Sequence, residues 1–200
     1  MATATDDFNR ANDPSGLGSN WSAQCNSSGI VVSANAAYKN GAVSNDYSFY
    51  NAISPGADQY SKIVLSSGFG GGIYGAVTVR ASGTAEATMN SYVFITNGAS
   101  GSGNSEIQKF VSGANTKLAN VAATFTGGDV IEIRASGTTI SVYKNGSLLT
   151  STTDSSLSSG KPGFGGYGAG TVFDNWEGGD YSAGGYIAAI SVNHGRRRRV

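Results

Sequence analysis

The 200-residue chain holds one cysteine, Cys25, and one histidine, His194, and these two scarcities remove much chemistry at the outset. A single cysteine excludes an internal disulfide, a cysteine-based zinc site and a CxxC redox pair, so the fold must stand on packing. One histidine excludes a metal site built on several imidazoles. His194 lies beside Gly195 and four arginines, beyond the last strand expected in the body of the domain. A Ser-His-Asp or Cys-His centre needs its base held rigidly within hydrogen-bond reach of the nucleophile, which that position does not offer. Charge is scarce as well: Asp, Glu, Lys and Arg make up 13% of the chain, against about 25% in ordinary globular domains. Ser, Thr, Asn and Gly take their place, as on extracellular and virion surfaces. The N-terminus shows no basic segment followed by an apolar stretch, and no apolar run approaches membrane-spanning length. Neither signal-directed export nor a membrane partner is expected.

What is present suffices for a core. Hydrophobic residues reach 39% and aromatics 10%, despite 30 glycines, which is too much apolar surface for a disordered chain. Nothing in the middle reads as a linker, so one domain is expected over residues 1–180, followed by an arm over 181–200. The formal net charge is zero. Removing Arg196, Arg197, Arg198 and Arg199 from the 13 basic residues leaves 9, against 13 acidic ones. The body is therefore mildly acidic and the tip basic, and a nucleic-acid partner is disfavoured because the body repels phosphate.

Apolar and polar residues alternate with period two, the mark of half-buried strands. Ile131 and Ile133 oppose Glu132 and Arg134, Ile140 and Val142 oppose Ser141 and Tyr143, and Val77 and Val79 oppose Thr78 and Arg80. Turn dipeptides separate these runs: Asn40-Gly41, Asn97-Gly98, Asn145-Gly146, Ser82-Gly83, Ser136-Gly137 and Gly127-Gly128 accept positive φ at little steric cost. No stretch keeps helical spacing free of glycine. The pattern predicts an all-β protein of about a dozen short strands, an antiparallel two-sheet sandwich or barrel.

Three segments carry a family resemblance. They are Asp6-Asp7-Phe8-Asn9-Arg10-Ala11 with Gly16-Leu17-Gly18-Ser19-Asn20-Trp21, the run from Gly128 to Gly146, and Gly160-Lys161-Pro162-Gly163-Phe164-Gly165 with Phe173-Asp174-Asn175-Trp176. Together, over residues 6 to 178, the chain resembles the concanavalin A-like lectin/glucanase superfamily, in particular laminin-G-like jelly-roll modules of bacterial surface proteins and phage tail or virion proteins. The resemblance implies a jelly-roll sandwich whose first and last strands lie side by side. Phe8 and Trp21 would then meet Phe173 and Trp176 at one edge of the core. It implies fold strongly and function weakly, since such folds host enzymes, lectins and structural modules.

The residues offer little for catalysis. Glycosidases need two carboxylates flanking the scissile bond, and no Glu-x-Asp-x-x-Glu spacing occurs, with Glu86, Glu106 and Glu132 each isolated. Gly-x-Gly-x-x-Gly matches at Gly70, Gly72, Gly75 and at Gly163, Gly165, Gly168 run into strand-like sequence, not into the helix a phosphate loop requires. No cofactor is expected apart from a structural calcium held by Asp6, Asp7 and Asp174, which converge if the terminal strands pair, and turn capping is the plainer role for these aspartates. Tyr47, Tyr50, Tyr74, Tyr167 and Tyr181 lie at turns and edges where rings can stack on sugars. Tyr167, Tyr74 and Tyr47 are the candidate glycan contacts, with Tyr167 foremost for its flanking glycines, although tyrosines on a sandwich also commonly pack on the sheet.

The arm combines a strand-like stretch, with Tyr186, Ile187 and Ile190, and the basic tip Arg196, Arg197, Arg198 and Arg199. Such a strand can add to a neighbour's sheet edge while arginines dock on acidic surface. The sequence thus points to a non-catalytic structural or adhesive module, a phage capsid decoration or tail-associated protein, whose partners are virion or surface proteins including copies of itself. The alternative is a carbohydrate-binding, lectin-like module with polysaccharide as partner. A virion surface is the expected location and an extracellular one the alternative. On this expectation, deleting residues 181–200 abolishes incorporation into particles while leaving the sandwich folded, and particle assembly assays with unimpaired incorporation overturn it.

Overall fold

The structure, a computed structural model, describes residues 1–22, 29–40, 45–67, 73–96 and 105–182. Fourteen strands follow in order: β1 Thr3–Asp6, β2 Ile30–Ser33, β3 Ala36–Lys39, β4 Asn45–Phe49, β5 Gln59–Ser67, β6 Tyr74–Ser82, β7 Asn90–Ile95, β8 Ser105–Val111, β9 Ala114–Val121, β10 Val130–Ser136, β11 Thr139–Lys144, β12 Ser147–Thr153, β13 Lys161–Tyr167 and β14 Val172–Asp180. One 3₁₀ turn, Glu86–Thr88, interrupts them, and no α-helix occurs among the described residues.

The strands form two antiparallel sheets. One has eight strands, ordered β12-β11-β10-β5-β14-β3-β2 with β1 also paired to β14, and the other has six, ordered β4-β13-β6-β7-β8-β9. Several connections are tight hairpins. Asn145 and Gly146, both at positive φ, turn β11 into β12, as expected for an Asn-Gly pair in a type I′ turn. Ala34-Asn35 and Ser112-Gly113 do the same for β2–β3 and β8–β9, and the sequence reading had not singled out either pair.

Between the sheets lies the main core. Ile63, Leu65, Ile131, Ile133, Ile140, Val142 and Phe173 of the larger sheet meet Val77, Val79, Tyr92, Phe94, Ile107 and Phe164 of the smaller. The terminal strands close it. Thr3 to Asp6 pair with Gly179 to Trp176, which places the expected aromatics together: Trp21 lies 4.7 Å from Trp176, 6.0 Å from Phe8 and 5.1 Å from Phe164 between ring centroids. Tyr50 stacks on Trp176 at 4.9 Å. Edge-to-face and offset arrangements of this kind contribute beyond the area they bury.

The smaller sheet departs from the expected half-buried pattern. Its outer face carries a second buried layer, with Tyr47, Phe49, Tyr74, Ala76, Val93, Ile95 and Phe110. Thr78 and Arg80, expected to face solvent, are 0% and 2% exposed. Strand interruptions between Val79 and Ser82 and between Lys161 and Gly163 flank Arg80, whose φ is +53°. The guanidinium turns inward and donates to the carbonyls of Ala57, Leu157 and Gly137 at 2.9, 2.8 and 2.7 Å. It ties three loops of the rim together. Arg80→Ala leaves three carbonyls without their donor and is expected to cost about 3 kcal/mol, read from the denaturant midpoint, whereas a loss below about 0.5 kcal/mol contradicts this role.

Candidate functional site

The sequence-predicted residues fall in three places. Tyr47 and Tyr74 are 1% and 2% exposed and belong to the buried layer of the six-stranded sheet, so neither offers a ring face to a ligand. Burial in that layer pushes the Tyr74 phenol up, and its hydroxyl donates to Asn45. Tyr167 is half-buried and stacked flat on Tyr74, 5.2 Å between centroids and 6° between planes. Its flanking glycines serve packing, a Cβ on Gly166 lying 2.9 Å from the Phe173 ring and one on Gly168 2.8 Å from the Ile73 side chain; farther along the strand a Cβ on Gly165 would lie 2.3 Å from the Tyr47 ring and one on Gly163 2.2 Å from the Ser48 carbonyl. The Gly163-x-Gly165 pair is thus a close-approach device within β13.

The three aspartates do not gather. Asp6 is consumed by structure: it accepts from Arg10 at 2.6 and 3.1 Å, from the Trp21 indole at 2.8 Å and from the Phe8 amide at 2.9 Å. Asp7 caps the Asn9 amide and Asp174 the Asn175 amide, the turn-capping role. No group of three metal-ligating side chains occurs among the described residues. Tyr186, Ile187, Ile190 and Arg196, Arg197, Arg198 and Arg199 lie outside the described residues.

An open groove lies instead on the outer face of the eight-stranded sheet. Antiparallel pairing sets Glu177, Lys62, Glu132 and Tyr143 side by side on β14, β5, β10 and β11. The adjacent row on the same face is Gly179, Tyr60, Arg134 and Ser141. Because side chains alternate, Ile63, Ile131 and Ile133 pack the core from the same strands. Gly179 has no room for a side chain, since a Cβ there would lie 2.1 Å from the Ala2 carbonyl beside the neighbouring strand β1.

Each charge in the groove has a partner. Lys62 Nζ lies 2.8 Å from Glu177, which also accepts the Tyr60 hydroxyl. Arg134 grips Glu132 with two bonds of 2.6 and 3.1 Å. Its guanidinium sits 3.9 Å from the centre of the Tyr143 ring and 5.2 Å from that of Tyr181, a cation held between two aromatic faces. Burial alone would lower the Arg134 pKa, but Glu132 overrides it and raises it, so the cation is permanent. Tyr181 is anchored by its amide to the Asp58 carbonyl at 2.9 Å. A cavity of about 350 Å³ opens where Tyr60, Lys62, Glu132, Arg134, Glu177 and Tyr181 meet, within the range of roughly 300–1,000 Å³ of small-ligand sites.

No family model and no curated protein matches the sequence. Solved structures do match. A carbohydrate binding module, CBM66 from Bacillus subtilis, superposes with a TM-score of 0.62 at 20% identity, covering 79% of this chain and 94% of that one. A lichenase derived from a mouse hindgut metagenome gives 0.60 at 8% identity over 90% and 99%. The exoplasmic/lumenal domain of VIP36, in a form bound to Ca²⁺ and Man3GlcNAc, gives 0.58 at 10% identity over 82% and 84%. The fold is a concanavalin A-like jelly roll. The candidate glycan contacts Tyr167, Tyr74 and Tyr47 lie away from the groove, Tyr181 of the other edge tyrosines lines it, and the sequence pattern had not marked Tyr60, Lys62, Glu132, Arg134, Tyr143 or Glu177 as groove residues. The signal was present in Ile131-Glu132-Ile133-Arg134, whose outward pair was read only as the solvent side of a strand.

Carboxylates across the jelly roll are set for ionisation. Burial would raise Asp129, Asp154 and Glu177, but lysine, tyrosine, serine, threonine and asparagine hydrogen bonds override it and hold all three below the ordinary range. The backbone amides of Gly56 and Ala2 do the same for Asp180. Asp154 is the most strongly lowered, bonded by Lys109 at 2.6 Å and Tyr92 at 2.7 Å. Since its folded pKa lies below the unfolded value, its contribution is complete above about pH 4 and is lost as pH falls through that range. Lys109→Met is therefore expected to be less stable than the parent by about 1 kcal/mol at pH 7, with the gap narrower at about pH 2, where the unfolded chain's aspartate is protonated while the folded one is still held low. Urea denaturation at both pH values checks this, and a gap undiminished in acid contradicts it.

Proposed function

We propose that the protein is a non-catalytic carbohydrate-binding module that holds its glycan in the groove of the eight-stranded sheet. The observation that carries this reading is the arrangement of Arg134 between Tyr143 and Tyr181, beside carboxylates already paired to cations. Fixed aromatic rings give stacking area at low entropic cost, and ion-paired carboxylates keep lone pairs for sugar hydroxyls. The names of two structures of the same fold, a carbohydrate binding module and the VIP36 exoplasmic/lumenal domain in its Ca²⁺/Man3GlcNAc-bound form, support it by analogy of fold alone.

The absence of catalysis is argued from the carboxylates. A retaining or inverting glycosidase needs one carboxylic acid with a raised pKa to protonate the leaving group. Glu177 is instead held low by Lys62 and Tyr60 despite its burial, and Glu132 is locked to Arg134. Lys62 also stands between the two in register. The assembly role in a virion rests on Tyr186 to Arg199, outside the described residues, and draws no support from the described surface.

Binding of the full chain to a glycan array, followed by titration of the positive glycans, tests the reading. Tyr181→Ala and Arg134→Ala are each expected to weaken binding about tenfold or more, and Tyr167→Ala to leave it unchanged. The opposite result, with Tyr167→Ala abolishing binding and Tyr181→Ala silent, moves the site to the six-stranded sheet and overturns the proposal. Cleavage of any bound glycan overturns the non-catalytic part.

A further inference from the structure

The groove is divided, and the division bears on its ligand. Beyond the Arg134–Tyr181 contact from the first cavity lies a second, of about 230 Å³, lined by Arg134, Ser136, Thr139, Ser141, Tyr143 and Tyr181. Arg134 and Tyr181 line both cavities. They form a shared ridge, fixed from below by Glu132 and from the chain end by the Asp58 carbonyl. The second cavity is smaller than a typical small-molecule site and the first stands at the low end of that range, so neither holds a large ligand alone.

Their chemistry differs. In the first, Lys62 and Arg134 balance Glu132 and Glu177, and the Asp180 carboxylate is turned to the amides of Ala2 and Gly56. In the second, Arg134 is the single charge, already neutralised by Glu132, and Ser136, Thr139 and Ser141 bring hydroxyls. Among the side chains lining either cavity, no unpaired cation remains to draw a carboxylate or sulfate, and no unpaired carboxylate to draw an amine. Hydroxyl groups, which both donate and accept, fit such compensated pairs.

Resting on the carbohydrate reading, we infer that the groove comprises two adjoining subsites for a neutral oligosaccharide, one sugar unit on each side of the Arg134–Tyr181 ridge. A chain crosses the ridge with its linkage over the guanidinium. The first subsite supplies charged donors and acceptors and sets selectivity. The second adds hydroxyl contacts and the exposed edge of Tyr143. Affinity should then depend on chain length up to the point where both cavities are filled.

Isothermal titration of the full chain tests this, using neutral gluco-, manno- and galacto-oligosaccharides of one to four units, oligogalacturonates as anionic probes and chitosan oligomers as cationic ones. The expected result is binding of a neutral series, with about a tenfold gain from one unit to two, little gain thereafter, and no loss in high salt. Tyr143→Ala should remove the gain from one unit to two, weakening binding of the two-unit sugar more than that of the monosaccharide. Equal affinity for one and two units, or a steady gain through four, overturns the two-subsite arrangement. Preference for the oligogalacturonates or chitosan overturns the neutral class. In each of these cases, loss of binding in Tyr181→Ala shows that the groove itself still holds the glycan. Failure of the parent chain to bind any probe overturns the carbohydrate reading along with the inference.

Discussion

The jelly roll depends on how its ends are closed. β1 has one strand partner, β14, and the two meet where Trp21, Trp176, Phe8, Phe164 and Tyr50 pack into a single aromatic cluster. Asp6 anchors that cluster, since one carboxylate receives the Trp21 indole, the Arg10 guanidinium and a backbone amide. With no disulfide available from a single cysteine, this seam carries the load that a cross-link carries in disulfide-rich folds. It also fixes Trp176 facing inward, and hence its neighbour Glu177 facing outward, into the groove.

The two sheets are used differently. Apart from its exposed edge strand β9, the six-stranded sheet is buried on both faces, with Phe94 and Val77 toward the core and Val93, Ala76, Tyr47 and Tyr74 on the far side. A sheet covered on both sides has no alternation for a polar surface to use. The outer face of the eight-stranded sheet, by contrast, is free to carry charge, and it does so in compensated pairs across β14, β5 and β10. Exposed pairs of this kind add little stability. Their consequence is orientation: lysine, arginine and glutamate side chains that would otherwise sample many rotamers are held in a fixed pattern beside Tyr60, Tyr143 and Tyr181.

Fold alone leaves function open here, since similar architecture occurs in a carbohydrate binding module, a lichenase and the VIP36 exoplasmic/lumenal domain at 20% identity or less. The distinction rests on protonation. A hydrolase separates the pKa values of two carboxylates so that one remains an acid, whereas here every carboxylate with a displaced pKa is displaced downward. Such groups stay ionised near neutral pH, so they accept hydrogen bonds and hold no proton to donate to a leaving group. That chemistry accords with the proposed binding of a polyol.

Much of the architecture was legible in the chain itself. Period-two alternation in Ile131–Arg134 and Ile140–Tyr143 specified strands, Asn145-Gly146 specified a hairpin, and the aromatic residues near both ends specified the closure, because each of these signals is local or follows from known strand pairing. The site was not legible. Tyr47 and Tyr74 read like edge aromatics and Tyr167 like an open ring between glycines, but the first two are buried, and the glycines beside Tyr167 exist because the Phe173 ring and the Ile73 side chain approach within the distance a Cβ would need. Glu132 and Glu177 are 45 positions apart in sequence and become neighbours across Lys62 only through the order β14-β5-β10. Sequence determines which residues alternate and where the chain can turn. Which alternate face stays exposed, and which distant charges meet there, is decided by sheet order and layer packing, which are long-range properties no local pattern encodes.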